Sequence, residues 1–389
     1  MHRTQVVRSR LVSLFLVGLV LRPQIVGIGP LLPRIEPSLG ISHAVAGLLA
    51  TIPVVCMGVF APLAPPLLRR HGSRIAIGGA LVLLGAVGIL RALVPGAALV
   101  LLFTVPVGVG IAVAGTLLPV VVREEYPEQP TLGTGVYTTG INVGATLASV
   151  AAVPIALLAG WRGTLVVYSV VTVLAVLPWL QRRHAAAEPP ERAPLPWRTP
   201  VAWLLAGAFA FQSIMFYGFN AWLPDVYVER GWHDAAAGAL VAIVNGVGLL
   251  FGIATALTAD RFATRRGFLV GGALAALAGS FLVAADVPGA WAWAVVLGAA
   301  MGVLFTTVMT LPLDTTSDRA SVAAMSTLML GVGYVVSGLA PIGLGAVRDA
   351  TGSFELPLAL LAADALLLLI LAIGSARVRG LRQPDVRPA

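Results

Sequence analysis

Arg22 offers the most chemistry of any side chain in this sequence. It stands in the middle of a long apolar run and is followed directly by Pro23. A charge at mid-membrane depth costs about 2.5–3.5 kcal/mol on insertion scales, so such a side chain must face a bundle interior or a water-filled cavity. The planar guanidinium fork suits carboxylate-like or linear anions. The alternative is a structural charge held by backbone carbonyls that Pro23 leaves free. A second set has helical spacing. Phe209, Gln212, Phe216 and Asn220 fall at i, i+3, i+7 and i+11, one face of a helix, with Ser213 and Tyr217 beside them. A few polar groups in an aromatic frame are how small-molecule pockets are lined; the alternative is aromatic packing against neighbouring helices. Gln24, Tyr137, Asn142, Asn245 and Tyr334 are further polar residues in apolar surroundings. Each either contacts a solute or makes an interhelical hydrogen bond, worth about 0.6 kcal/mol on average. Asp364 is the one carboxylate deep within an apolar run. It is a candidate proton carrier, set against a structural hydrogen bond or a neutral, protonated state.

The composition limits what these residues can serve. The chain has 389 residues, 58% hydrophobic and 11% charged, where a soluble domain carries about 25% charged residues. Mean hydropathy is +0.94. This excludes a soluble enzyme or a nucleic-acid-binding protein; the net charge of +8 is better explained by arginines gathered on one side of a membrane. All 25 basic residues are arginine, so a Walker A loop and lysine Schiff-base chemistry are both absent. Cys56 stands alone, and the five histidines are scattered, which argues against a disulfide, a metal site or a cofactor.

The elements that must position the polar set are membrane helices. Apolar runs bounded by charges, Gly and Pro predict twelve spans near 11–32, 43–66, 75–95, 97–121, 132–156, 161–180, 200–223, 235–257, 266–286, 290–311, 319–346 and 355–375. With both termini and the even-numbered connectors on one side, that side holds nineteen arginines and the other only Arg34, Arg91, Arg162, Arg230 and Arg348, while Arg22 remains within the membrane. The positive-inside rule then makes both termini cytoplasmic. Residues 181–199, rich in Arg and Pro, read as a cytoplasmic linker between a six-helix half at 1–180 and another at 200–389.

The halves repeat. Leu32-Pro33 matches Leu223-Pro224, Gly40 matches Gly231 and Ala46-Gly47 matches Ala237-Gly238, all at an offset of 191; Leu118-Pro119 matches Leu311-Pro312 at 193. Parallel repeats related by an axis along the membrane normal are a transporter architecture. With a motif running from Gly252 to Arg265, through Asp260 and Arg261, and a second copy ending Arg69-Arg70-His71-Gly72-Ser73-Arg74, the chain resembles the major facilitator superfamily over nearly its whole length. Leu21-Arg22-Pro23, Gly29-Pro30-Leu31-Leu32, Phe211-Gln212-Ser213, Phe216-Tyr217 and Ala221-Trp222-Leu223-Pro224 are similar to the cyanate and nitroimidazole permease branch.

The resemblance implies an all-α membrane protein of twelve helices in two pseudo-symmetric bundles, located in the cytoplasmic membrane and working as a monomer. It implies a permease rather than an enzyme, moving a small anionic or polar solute by alternating access, with or without a coupling proton. The other reading is a proton-coupled exporter of nitroimidazole-like or other aromatic compounds. Arg70, Gly72, Arg74, Asp260, Arg261 and Arg265 take the gating positions. Arg22, Gln24, Tyr137, Asn142, Gln212, Ser213, Phe216, Tyr217, Asn220, Asn245 and Tyr334 are the solute-binding candidates. Two positions depart from the superfamily pattern. Arg69 stands where the N-terminal copy of the motif would have its acid, and Thr104 stands four residues before Gly108, where the fourth helix often carries arginine.

Overall fold

A computed structural model describes residues 2–126, 130–181, 194–259, 265–314 and 319–375, and the described residues are helical with no strand. Among the described residues, nine helices are long and apolar enough to cross a bilayer, and a bent pair makes a tenth. Two further divisions follow from backbone breaks. The 52-residue helix Pro130–Gln181 contains Gly160 at φ 70° and ψ 172°, which separates the fifth and sixth spans. Ala64–Leu93 contains Gly72 at φ 72° and ψ 167°. The part before Gly72 continues the second span, His43–Val59, and the part after it is the third. Both breaks need a left-handed φ that glycine alone adopts freely. The result is the twelve-span arrangement that the apolar runs predict.

The remaining spans are Ala97–Glu125, Pro200–Glu229, Asp234–Thr258, Arg266–Ala284, Ala290–Thr310, the eleventh as Arg319–Gly338 with Ala340–Thr351, and Glu355–Ser375. The first span differs from its expected 11–32. It runs from His2 to Leu39 in pieces, broken at Leu21-Arg22 and again at Gly27-Ile28, with a 42° bend between Arg10–Val26 and Gly29–Leu39. Pro23, Pro30 and Pro33 each sit in the first positions of a new helical piece, where a missing N–H is tolerated. The repeat survives in the backbone: Gly40 and Gly231 both take positive φ, 62° and 85°, and helices start at His43 and Asp234.

The halves meet along three seams. The first span lies on the seventh, the second on the eleventh and the fifth on the eighth. Gly29 lets the first seam close: a Cβ there would stand 1.7 Å from the Asn220 carbonyl oxygen. Large apolar side chains such as Leu158 and Leu257 are exposed on the outside, as a lipid-facing surface requires. The face bearing Gln181 and Pro200 is called the linker side below. Of the proposed linker, residues 182–193 lie outside the described residues.

Candidate functional site

The break in the first span turns Arg22 inward. Pro23 cannot donate, and the chain re-forms a short helix, Pro23–Val26, whose Ile25 and Val26 amides bond the Arg22 carbonyl at 3.0 Å. Arg22 is 9% exposed, and its guanidinium crosses between the halves. Its Nη1 donates to the Tyr217 hydroxyl at 2.6 Å, and the Tyr334 hydroxyl faces the same group. Tyr217 belongs to the seventh span and Tyr334 to the eleventh. No carboxylate among the described residues pairs with Arg22, so none of them neutralises its charge. Because the Tyr217 oxygen accepts from Arg22, its own proton points elsewhere and is free to donate.

Aromatic rings frame this contact. Phe216 packs edge-on to Tyr217 with centroids 5.2 Å apart, and Phe209 packs edge-on to Tyr334 at 5.0 Å. Tyr137 of the fifth span stands near Tyr334. Gln212 is buried at 2% exposure, and its carbonyl accepts from the Ser213 hydroxyl at 3.3 Å. Its amide N–H groups make no protein hydrogen bond among the described residues, which leaves them available about one and a half turns from Tyr217. Arg22, Tyr137, Phe216, Tyr217 and Tyr334 therefore come together, with Gln212 and Ser213 further along the seventh span.

The other candidates are engaged elsewhere. Asn220 and Asn245 form a polar tie: Asn245 Nδ2 donates to Asn220 Oδ1 at 2.8 Å and to Ser149 Oγ at 3.1 Å, joining the seventh and eighth spans to the fifth. Asn142 donates to the Thr138 carbonyl of its own helix at 3.0 Å. Gln24 donates to Ser169 Oγ at 2.8 Å, and its carbonyl accepts a short hydrogen bond from Arg91. Asp364 is 8% exposed with one carboxylate oxygen unpartnered; the twelfth span packs chiefly on the ninth, seventh and eleventh, away from Arg22.

Of the gating positions, Gly72 provides the break described above, and Arg70 and Arg74 are exposed. Arg265 pairs with Asp314 at 3.3 Å and donates to the Thr310 carbonyl at 3.1 Å, a clasp within the C-terminal half. Asp260 and Arg261 lie outside the described residues.

Two residues change the sequence reading. Arg91 was expected on the side opposite the linker. It is fully buried instead, and its Nη1 lies 3.4 Å from Thr104 Oγ1. A guanidinium thus stands beside Thr104 after all, delivered by the third span rather than the fourth. Its place three residues before Val94-Pro95-Gly96 reads as a helix end, and only the inward turn of the long side chain hides it. Asp225, two residues past the predicted end of the seventh span, reads in the sequence as a solvated helix end. It is 5% exposed, within the helix Pro200–Glu229, with Oδ2 unpartnered. Its burial arises because the first span continues past Leu32 and covers it.

The comparisons with known proteins agree with this architecture. The family model described as Major Facilitator Superfamily matches residues 14–341. An uncharacterized transporter, YycB, of Bacillus subtilis (strain 168) is 30% identical over 94% of this chain and 92% of its own length. The 2-nitroimidazole transporter of Escherichia coli (strain K12) is 28% identical over 95% and 96%, and the cyanate transport protein CynX of the same strain is 30% identical over 95% and 97%. Among solved structures, a bacterial homologue of the human lysosomal transporter Spinster, in an inward-facing and occupied conformation, superposes with a TM-score of 0.78 at 16% identity, covering 97% of this chain and 98% of that one. The D-xylose–proton symporter gives 0.76 at 17% identity, covering 93% and 97%.

Proposed function

This chain belongs to the major facilitator superfamily as a multi-pass membrane transporter, not an enzyme, and from that premise we propose that it carries a small organic or cyanate-like anion by alternating access, with Arg22 as the binding cation. One observation carries the reading: an un-neutralised guanidinium sits on the seam between the halves and bonds across it to Tyr217 at 2.6 Å. An anion at Arg22 would be gripped by both halves at once, so its binding energy differs between conformations, which is what a ligand-driven transition requires. Tyr217 and Gln212 would donate to the far end of the solute. Tyr137, Ser213, Phe216 and Tyr334 would complete the wall, and Asn220 and Asn245 would hold the seam beside it. The halves, 1–180 and 200–389 about the 181–199 linker, would rock around this point. The arginine asymmetry supports a cytoplasmic position for both termini and the linker, with the chain in the cytoplasmic membrane, and a single copy is the expected working unit.

The deciding experiment is a thermal-shift screen of purified protein against small anions and nitro-heterocycles, on wild type and on Arg22→Gln. A ligand at about 100 times its dissociation constant adds about 2.7 kcal/mol of stability. An anion that stabilises wild type but not the variant supports the reading; equal stabilisation of both proteins by that anion removes Arg22 from the site. The rings of Phe209, Phe216, Tyr217 and Tyr334 around the contact favour a second reading, export of nitroimidazole-like or other aromatic compounds. Neutral aromatics that stabilise both proteins equally would put that reading first.

A further inference from the structure

The side opposite the linker is closed by charges that the internal repeat nearly duplicates with their signs reversed. At the offset of 191, Leu32-Pro33-Arg34 falls on Leu223-Pro224-Asp225, and Ser42-His43 falls on His233-Asp234. Arg34 pairs with Asp234 across the halves at 3.0 Å. The repeat-related partner of that bridge would join Asp225 to His43, and it is not made. His43 turns instead to Asp349 at 2.9 Å and Glu36 at 3.4 Å. Asp349 also accepts from the His43 and Ala44 amides at 3.1 and 2.8 Å.

Asp225 is left without a cation. It is 5% exposed and its Oδ2 has no partner. The groups that face it are Glu36, Glu229 and Asp234. Glu36 has its own unpartnered oxygen, Oε1, and faces Asp349, Arg348 and Glu229 besides His43. Arg34 is taken by Asp234, and Arg348 by Glu229. Five carboxylates thus share this closure with two arginines and one histidine, and two of them, the buried Asp225 and the part-buried Glu36, have oxygens that no donor among the described residues reaches. Two charges here would leave both of these oxygens without a hydrogen-bonding partner, a cost that one proton on the pair removes.

We propose that the Glu36–Asp225 pair binds one proton from the solution on the side opposite the linker, and that closure of this side requires it. The step is a single protonation of a carboxylate oxygen; no other bond changes. The proposal rests on the alternating-access reading and supplies its coupling site. Glu36 lies on the same span as Arg22. Asp225 lies eight residues beyond Tyr217 on the seventh span, about 12 Å along the helix. The two spans that meet over the solute at Arg22 therefore meet again over the proton. Opening separates the pair, wets it and releases the proton; closing desolvates it and takes the proton up. Asp364 sits on a span without such a seam and is not needed.

The test uses the full-length protein with Cys56→Ala, Ala98→Cys and Ala285→Cys, spin-labelled at the two exposed positions on opposite halves. Distances are measured by electron–electron double resonance from about pH 5 to about pH 9. A one-proton link changes the open-to-closed ratio by up to about tenfold per pH unit. In the otherwise wild-type protein, the long-distance population should grow as pH rises. Asp225→Asn should hold the short distance at every pH, and Glu36→Gln should remove most of the pH dependence; the latter carries the test alone if Asp225→Asn does not fold. His43→Ala should leave a pH dependence in place. A wild-type pH profile in both carboxylate variants overturns the proposal, as does a profile lost only in His43→Ala. The anion reading is scored separately by the Arg22→Gln thermal shift at one fixed pH, so either reading can fail while the other stands.

Discussion

Arg22 and Arg91 are both buried in the N-terminal half, yet their surroundings differ in one respect that matters. Arg91 finds its partners within its own half: Gln24 on the first span and Thr104 on the fourth. Arg22 finds its partner, Tyr217, in the other half. Neither has a carboxylate among the described residues. A buried cation whose hydrogen bonds close within one rigid bundle keeps the same partners through a rocking motion. A cation on the seam must exchange partners when the halves move, and its binding state is coupled to conformation. Burial therefore marks both arginines as costly, while the location of the partner separates scaffold from site.

Removing each charge should break the molecule in different ways. Arg22→Gln deletes a charge-assisted contact worth about 1.5–3 kcal/mol, so anion affinity should fall about 10- to 100-fold with the melting temperature nearly unchanged. Arg91→Ala should show the reverse. It strands the Gln24 carbonyl and the polar groups around it, at about 1–3 kcal/mol of stability, while anion affinity stays within about threefold. The pair is checked by equilibrium binding and thermal unfolding on both variants. Swapped outcomes would mean that the seam is not where the ligand binds. The double variant Arg91→Leu with Gln24→Leu should recover part of the lost stability, because a polar group removed with its partner leaves nothing unsatisfied.

Tyr217→Phe sharpens the comparison with a smaller effect. The ring and its packing against Phe216 remain, and only the hydroxyl that accepts from Arg22 is lost. A hydrogen bond to a charged group at the low end of its range, about 1.5 kcal/mol, predicts roughly a tenfold loss of anion affinity. Tyr334→Phe should cost less, since its hydroxyl faces Arg22 without replacing the Tyr217 contact. Isothermal titration of both variants gives the ranking; a greater loss for Tyr334→Phe would move the centre of the site toward the eleventh span.

How much of this was legible before the structure follows from what hydropathy encodes. The twelve spans, the repeat and Arg22 were readable because lipid tolerates charge only at a cost, so a lone arginine in an apolar run is conspicuous. The face of Phe209, Gln212, Phe216 and Asn220 was readable from helical spacing. Spacing could not reveal that Asn220 is committed to Asn245, because partners on another span leave no periodic trace. Arg91 and Asp225 were misread for a shared reason. Each sits near a helix end, where sequence implies water, and each is covered by a side-chain turn or a neighbouring span that only tertiary packing fixes. The bend in the first span was hinted at by Pro23, Pro30 and Pro33, but its continuation to Leu39, over Asp225, was not.

The smallest expected effect tests whether crossing the seam is enough by itself. Asn245 also reaches across, to Ser149 at 3.1 Å, but it is neutral and its neighbours satisfy it. Interhelical hydrogen bonds in membranes average about 0.6 kcal/mol, so Asn245→Ala should shift the balance between the two conformations by about threefold and change anion affinity by no more than that. Distance measurements across the seam and titration with the same anion would both register it. If Asn245→Ala instead costs as much affinity as Arg22→Gln, then any polar contact on the seam reads out ligand and the charge of Arg22 is incidental. A shift in conformation with affinity nearly kept would show that the seam sets the motion, and that the un-neutralised guanidinium on it sets what is carried.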